Sequence, residues 1–187
     1  MKIVLLTQGK VAQVDDEDFA RINAHQWCVI KKTLKNRTVW YAMRQTRLNG
    51  KRHAVYMHRV ILGVTDSTQV DHRFGDTLNN QRSNLRVATN QQNQYNMRKA
   101  PHGTSKFKGV SWDTRAGKWR ACIHIGGKHK HLGYFTDETQ AAGAYDSEAK
   151  QHYGEFALTN SMLDSLRPAR ANKEGAKWEV TLKAKAV

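Results

Sequence analysis

Several residue types are scarce in this sequence, and each scarcity excludes something. Cysteine occurs twice in 187 residues, at Cys28 and Cys122, and never as C-x-x-C. That spacing excludes a zinc ribbon or thioredoxin-type centre, and both thiols are expected to be reduced in a cytosol-like compartment. Proline also occurs twice, and Pro101 sits with Gly103 in a polar stretch that reads as a linker. No apolar run approaches the ~20 residues of a membrane span. The segment Ile3-Val4-Leu5-Leu6 is too short for a signal-peptide core, and no small-residue cleavage site follows it. A soluble, cytoplasmic protein with no membrane partner is expected. Acidic residues are few, 16 against 31 basic, which gives a net charge of +15 and a pI near 10.0. Such an excess favours a polyanionic partner, because Lys and Arg displace the counterions condensed on phosphates. No long basic amphipathic helix of the membrane-surface type accompanies it. Nucleic acid is therefore the expected partner.

The apolar fraction of 39% supplies a core for one large domain or two small ones. Residues 1–57 read as β-rich. Ile3–Leu6 and Val11–Val14 flank a Thr7-Gln8-Gly9-Lys10 turn, Asp15–Ile22 starts with acids as a short helix does, and Trp27–Lys31 and Thr38–Arg44 read as strands. Asn49-Gly50 is a turn dipeptide, and Met57–Leu62 is an apolar segment. Residues 58–97 hold a polar motif, 98–106 a linker, 107–160 a second unit, and 161–187 a helix fragment with a basic tail.

The polar motif runs from Val70 to Asn93 and holds five asparagines, three arginines and Asp71-His72. Phe74–Gln81 is loop chemistry. Asn84–Ala88 alternates, which predicts Leu85 and Val87 on the inner face. Thr89 and Gln92 fit a capping box at the start of a helix. The order is strand, loop, strand, helix. Such a frame can gather a carboxylate oxygen from Asp71 and an amide oxygen from Asn93. Oxygen ligands without thiolate favour Mg²⁺ or Mn²⁺. His72 beside the metal could take a proton from water at neutral pH, with Asn84 fixing its ring. For Asp71 and His72 to share a phosphate, the strand must end or twist there, since neighbours on a strand point to opposite faces. His25, His53 and His152 read as structural residues, and His58 as a packing residue.

The pattern "VDH…NN…SNLR…T…QN" resembles the HNH motif of homing endonucleases from phages and mobile introns, which have the ββα-metal fold. The resemblance implies that Asp71 and Asn93 hold one divalent metal, that His72 is the general base, and that Asn84 orients it. It also implies cleavage that leaves 5′-phosphate and 3′-hydroxyl ends.

In residues 107–135, three short strands are separated by Arg115-Ala116-Gly117 and Gly126-Gly127 turns. Trp119, Ala121, Ile123 and Ile125 alternate with Arg120, Cys122 and His124. A helix over 137–153 repeats Ala142, Tyr145, Ala149 and His152 or Tyr153 at helical spacing and is expected to pack on the apolar face. Charge is sorted between the two: seven Lys/Arg, three His and one acid from Lys106 to His131, then five acids and one Lys from Asp137 to Glu155. A sheet facing phosphates, backed by an acidic helix, accounts for this, and sheets can read the major groove.

"FKGV", "GKWRA", "LGYF" and the closing "LTN" resemble the ethylene-response-factor (Apetala-type) DNA-binding domain, which is also appended to phage HNH nucleases. The resemblance implies DNA contacts at or near Lys108, Lys118, His124, His129 and His131, and packing roles for Trp112 and Trp119. Position and face add Arg115 and Arg120. Ser111, Ala116 and Cys122 depart from the plant pattern, so the plant target is not carried over.

The expected fold class is α+β: a β-rich N-terminal region, a ββα-metal core, then a three-stranded antiparallel sheet on one helix. The expected function is a monomeric, metal-dependent endonuclease acting on double-stranded DNA. The competing readings are a DNA-binding regulator with a decayed nuclease and an RNA-binding protein.

Overall fold

Short strands closed by local turns build the first half of the chain. β1 (Lys2–Leu5) and β2 (Val11–Val14) pair antiparallel around a 3₁₀ turn and bury Val4, Ala12 and Val14. α1 (Asp16–Asn23) carries Asp16, Glu17 and Asp18 in its first turn, where negative charge is favoured, and buries Ile22. β3 (Cys28–Leu34), β4 (Arg37–Leu48) and β5 (Lys51–Tyr56) form an antiparallel meander, with Asn49-Gly50 turning β4 into β5. The apolar segment after β5 is a helix, α2 (Met57–Leu62), and it buries Met57, His58 and Ile61. The computed structural model describes residues 1–34, 37–99 and 103–166.

β6 (Gln69–His72) and β7 (Leu85–Ala88) pair as a two-stranded ribbon that leads into α3 (Asn90–Tyr95). The capping box at Thr89 and Gln92 is present, each side chain meeting the other residue's backbone N–H. The ribbon differs from expectation at Val87, which is 55% exposed. Leu85 and the partly buried Val70 reach the core, and the opposite face is covered as well, burying Arg86 and Ala88. One apolar cluster joins Val4, Val14, Ile22, Trp27, Met57, Ile61 and Leu85. It includes residues on both sides of position 57. Each such side chain contributes about 1.5–3 kcal/mol when fully buried. This cluster, rather than helices of six to eight residues, holds the first half together.

β8 (Val110–Asp113), β9 (Lys118–Ile125) and β10 (Lys128–Phe135) form an antiparallel sheet in the order β10-β9-β8. α4 (Glu138–Tyr153) lays Ala141, Ala142, Tyr145, Ala149 and Tyr153 on its apolar face. Tyr153 takes the last buried position, while His152 faces out and pairs with Glu148 at 2.8 Å. Trp119 packs on the core, but Trp112, expected there too, is 39% exposed and meets Trp119 edge-on. The helix fragment after "LTN" is α5 (Asn160–Ser165). Residues 100–102 of the expected linker and 167–187 of the expected tail lie outside the described residues.

The two halves touch. Tyr95 of α3 stacks on Tyr153 of α4 with centroids 3.8 Å apart. Arg73 pairs with Glu155 at 3.4 Å, and Arg86 reaches the Glu155 carbonyl and the Phe156 ring.

Candidate active site and nucleic-acid interface

β6 stops at His72, and the chain turns at once. The Gly75 N–H donates to the His72 carbonyl at 2.9 Å, with Gly75 at φ +70°, a conformation that favours glycine. The strand end removes the alternation problem: Asp71 and His72 are 9% and 5% exposed and line the same cavity. That cavity is about 600 Å³ and also takes in Gln69, Tyr41, Asn93 and Asn96.

The loop from Arg73 to Gln81 is fastened on both sides. Gln13 of β2 exchanges backbone hydrogen bonds with Leu78 and Asn80 at 3.0 and 2.8 Å. Asp15 accepts from the Arg82 N–H at 2.7 Å, and buried Asp18 pairs with Arg82 at 2.8 Å. The β-rich N-terminal elements thus anchor the loop beside His72.

Asn84 was expected to orient the imidazole. Its buried side chain instead ties the loop backbone, accepting from Phe74 N–H at 3.1 Å and donating to the Asp76 and Asn79 carbonyls at 3.0 and 2.7 Å. The ring's partner is Asn80, with Nε2 3.4 Å from Oδ1. Asn84 therefore acts on His72 through the loop that carries Asn80. The reason is reach: Asn84 ends a 3₁₀ turn under the loop, where unpaired backbone carbonyls are nearer than the ring.

Asp71 faces its cross-strand partner Arg86. Arg86 Nε and Nη2 donate to Oδ2 at 2.9 and 2.7 Å. Asn96 Nδ2 lies 2.9 Å from Oδ1, from Oδ2 and from the His72 carbonyl. Asn93 donates to Gln69 Oε1, which leaves its carbonyl oxygen for another partner. Among the described residues no three His, Cys, Asp or Glu side chains cluster as a metal site. The donor chemistry still fits a hard cation. A carboxylate has about four acceptor positions. Oδ1 of Asp71 holds one donor against three on Oδ2, and Mg²⁺ commonly takes only one or two protein oxygens.

His72 is held below the ordinary histidine range, chiefly by burial, although Asn80 and the charges of Asp71 and Asp76 pull the other way. His58, expected to pack, lies edge-on to His72 with centroids 5.1 Å apart, and its buried Nδ1 has no hydrogen-bond partner. Burial first, then repulsion from His72, Arg59 and Lys32, pushes His58 down to about 3. A histidine with a depressed folded pKa stabilises the fold above its unfolded value of 6.5, and that contribution fades as pH falls toward about 3. The expected loss is about 1.4 kcal/mol per unit of pH across that window. Urea midpoints measured from pH 7.5 to 4 should fall steeply for the native protein and less steeply for His58→Leu, which cannot titrate.

The second half presents a basic face. Register puts Lys118, Arg120, Cys122 and His124 of β9 beside His129, His131 and Tyr134 of β10, on the side away from α4. Lys118, Arg120, His124, His129 and His131 are all exposed, as is Arg115 in the β8–β9 turn. His124 and His129 meet across the strands at 3.9 Å. Lys108 stands deeper than these exposed cations, lining one cavity with Cys122, His124 and His129. Its ammonium is buried and donates to the Tyr95 carbonyl at 2.6 Å, and burial lowers it to about 8. It lies just before β8, where the chain passes under α3 rather than over the sheet. A larger cavity of about 900 Å³ lies here between α3 and the end of β9, and it shares Asn90, Gln94 and Met97 with the His72 cavity.

Sequence reasoning missed Arg86, Asn96 and Asn80. A directly opposed Asp–Arg pair is a recurring sheet contact, but finding it needs the register. Asn96 follows Asn93 by three residues, the spacing that shares a helix face.

No family model matches the chain, and no solved structure matches it. Protein 3.8 of Escherichia phage T7 is 32% identical to it over 88 residues, 47% of this chain and 72% of that protein. A protein of Acanthamoeba polyphaga mimivirus, named as an uncharacterized HNH endonuclease, is 36% identical over 99 residues, 53% of this chain and 50% of that protein. An ethylene-responsive transcription factor of Arabidopsis thaliana is 38% identical over 60 residues, 31% of this chain and 14% of its own length.

Proposed function

The chain belongs to the family of Protein 3.8 of Escherichia phage T7, and from that premise we propose that it is a metal-dependent DNA endonuclease of the HNH homing type. The observation that carries this reading is the meeting of His72, Asp71 and Asn93 on one cavity, with the histidine buried and held below the ordinary histidine range by that burial. The similarity to the mimivirus HNH endonuclease and to a plant transcription factor supports it. We assign residues 58–97 to the nuclease, 107–160 to a DNA-binding unit, and 1–57 to support of the nuclease loop. The working form is a monomer in the cytoplasm.

Donation from His72 Nε2 to Asn80 leaves the lone pair on Nδ1. That nitrogen accepts a proton from water, and the hydroxide attacks the phosphorus in line with the departing 3′ oxygen. Asp71 and Asn93 would hold Mg²⁺ or Mn²⁺, which supplies charge stabilisation to the phosphate and the leaving oxygen. Asn96 ties the Asp71 carboxylate to the His72 backbone, so base and carboxylate keep one spacing. The chemistry of the ends tests this. Nicks should be sealed by DNA ligase without prior treatment, as 5′-phosphate and 3′-hydroxyl ends allow. Nicks that need end repair before ligation would refute the mechanism.

Arg115, Lys118, Arg120, His124, His129 and His131 supply the positioning contacts on duplex DNA. Lys118→Ala and Arg120→Ala are each expected to weaken duplex binding and to lower the slope of log affinity against log salt by about 1. Fluorescence anisotropy at several salt concentrations measures both. One observation favours single-stranded RNA as a second reading: Trp112 and Tyr134 are exposed at the sheet and could stack on bases. Competition between duplex DNA and single-stranded RNA separates the two.

A further inference from the structure

The guanidinium of Arg86 is divided between the two halves of the protein. Two of its nitrogens hold Oδ2 of Asp71 at 2.9 and 2.7 Å, and the third donates to the backbone carbonyl of Glu155. Its carbon lies 3.8 Å from the centroid of the Phe156 ring. Arg86 is 8% exposed and Asp71 9%, so water screens neither. The contacts leave Arg86 little freedom: its donors are aimed at a carboxylate on one side and a carbonyl on the other, and its face is covered. Asp71 inherits that restraint. With three donors on Oδ2 and one on Oδ1, the carboxylate is held with a single oxygen open to a cation.

We infer that Arg86 is a positioning residue through which the C-terminal unit, by Glu155 and Phe156, sets the orientation of the candidate metal-binding carboxylate. This rests on the nuclease reading above. The C-terminal unit then has a second task besides holding DNA: its seating against β7 completes the nuclease centre. The Arg73–Glu155 pair and the Tyr95–Tyr153 stack fasten the same junction, so displacing it would disturb Asp71 through Arg86.

Two substitutions in the full-length chain test this. Arg86→Lys keeps a positive charge, but one ammonium cannot reproduce the planar fork that holds Asp71 and Glu155 together. Phe156→Leu keeps apolar bulk and removes the ring face. The readouts are Mn²⁺ affinity from the electron paramagnetic resonance signal of free Mn²⁺, duplex affinity in EDTA, and kcat and KM for cleavage. Circular dichroism checks that each variant is folded. Both variants are expected to weaken Mn²⁺ binding and lower kcat by about 10-fold or more, with KM and duplex affinity in EDTA unchanged. Arg120→Ala should do the reverse, changing duplex affinity and leaving Mn²⁺ binding intact. Folded Arg86→Lys and Phe156→Leu proteins with native Mn²⁺ affinity and native kcat would overturn the inference while leaving the nuclease reading standing. A native protein that neither binds Mn²⁺ nor cleaves would overturn both.

Discussion

Replacing His72 with alanine is expected to slow phosphodiester cleavage by about 10²–10⁴-fold, the range lost when a positioned general base is removed, while duplex binding stays at the native level. The separation follows from location. His72 lies inside the cavity at the end of β6, and the exposed cations lie on β9, β10 and the β8–β9 turn. Burial disfavours the charged form of the ring, so its removal is expected to leave the charge of the exposed basic face unchanged. Low pH should mimic the substitution. Because burial holds His72 below 6.5, cleavage should persist into mildly acidic buffer and fail only when the ring is protonated. Single-turnover rates and anisotropy, measured on the same preparation, read the two effects separately. A fall in DNA affinity as large as the fall in rate would mean that His72 binds rather than catalyses.

Gly109→Ala is expected to cost the fold about 2–5 kcal/mol, the sum of a left-handed backbone conformation and an overpacked core. Gly109 sits at φ +78°, and a Cβ there would lie 2.0 Å from Cδ2 and 2.5 Å from Cε2 of Tyr145. Neither side can yield easily. Tyr145 is buried on α4 within the cluster of Ile123, Ala149 and Tyr153, and the Gly109 carbonyl accepts from the Cys122 N–H at 2.8 Å. Gly117→Ala is the control: it shares the positive φ, at +59°, but has open space around it. It should lose only the backbone part, about 1–2 kcal/mol. Urea midpoints followed by tryptophan fluorescence compare the two. Equal losses would mean that the contact with Tyr145 contributes nothing.

Much of this architecture was legible locally. The capping box at Thr89, the turns at Asn49-Gly50 and Gly126-Gly127, and the alternation of β9 depend on near neighbours, and each stands where sequence alone put it. What was not legible depends on partners distant in sequence. β5 reads as polar because its face stays exposed. Val87 was expected inside by alternation, but it stays 55% exposed while Leu85 and Val70 take the places on the core. Lys108 was expected at the DNA face, and its hydrogen bond to the Tyr95 carbonyl depends on the approach of α3. Asn84 was expected to orient the histidine, and its side chain holds the loop. The residues gathered on the cavity, Asp71, His72 and Asn93, were nameable from their motif; the Arg86 and Asn96 shell around Asp71 required the register and the packed C-terminal half.

The most direct test of the central claim is incubation of supercoiled plasmid carrying candidate target DNA with native protein, in Mg²⁺ or Mn²⁺ and in EDTA. The nuclease account predicts open-circular or linear product in either metal and none in EDTA, with the product absent for His72→Ala. Duplex binding by native protein at a mapped site, with no cleavage in any divalent metal, would contradict it and leave a DNA-binding protein built on a silent nuclease frame.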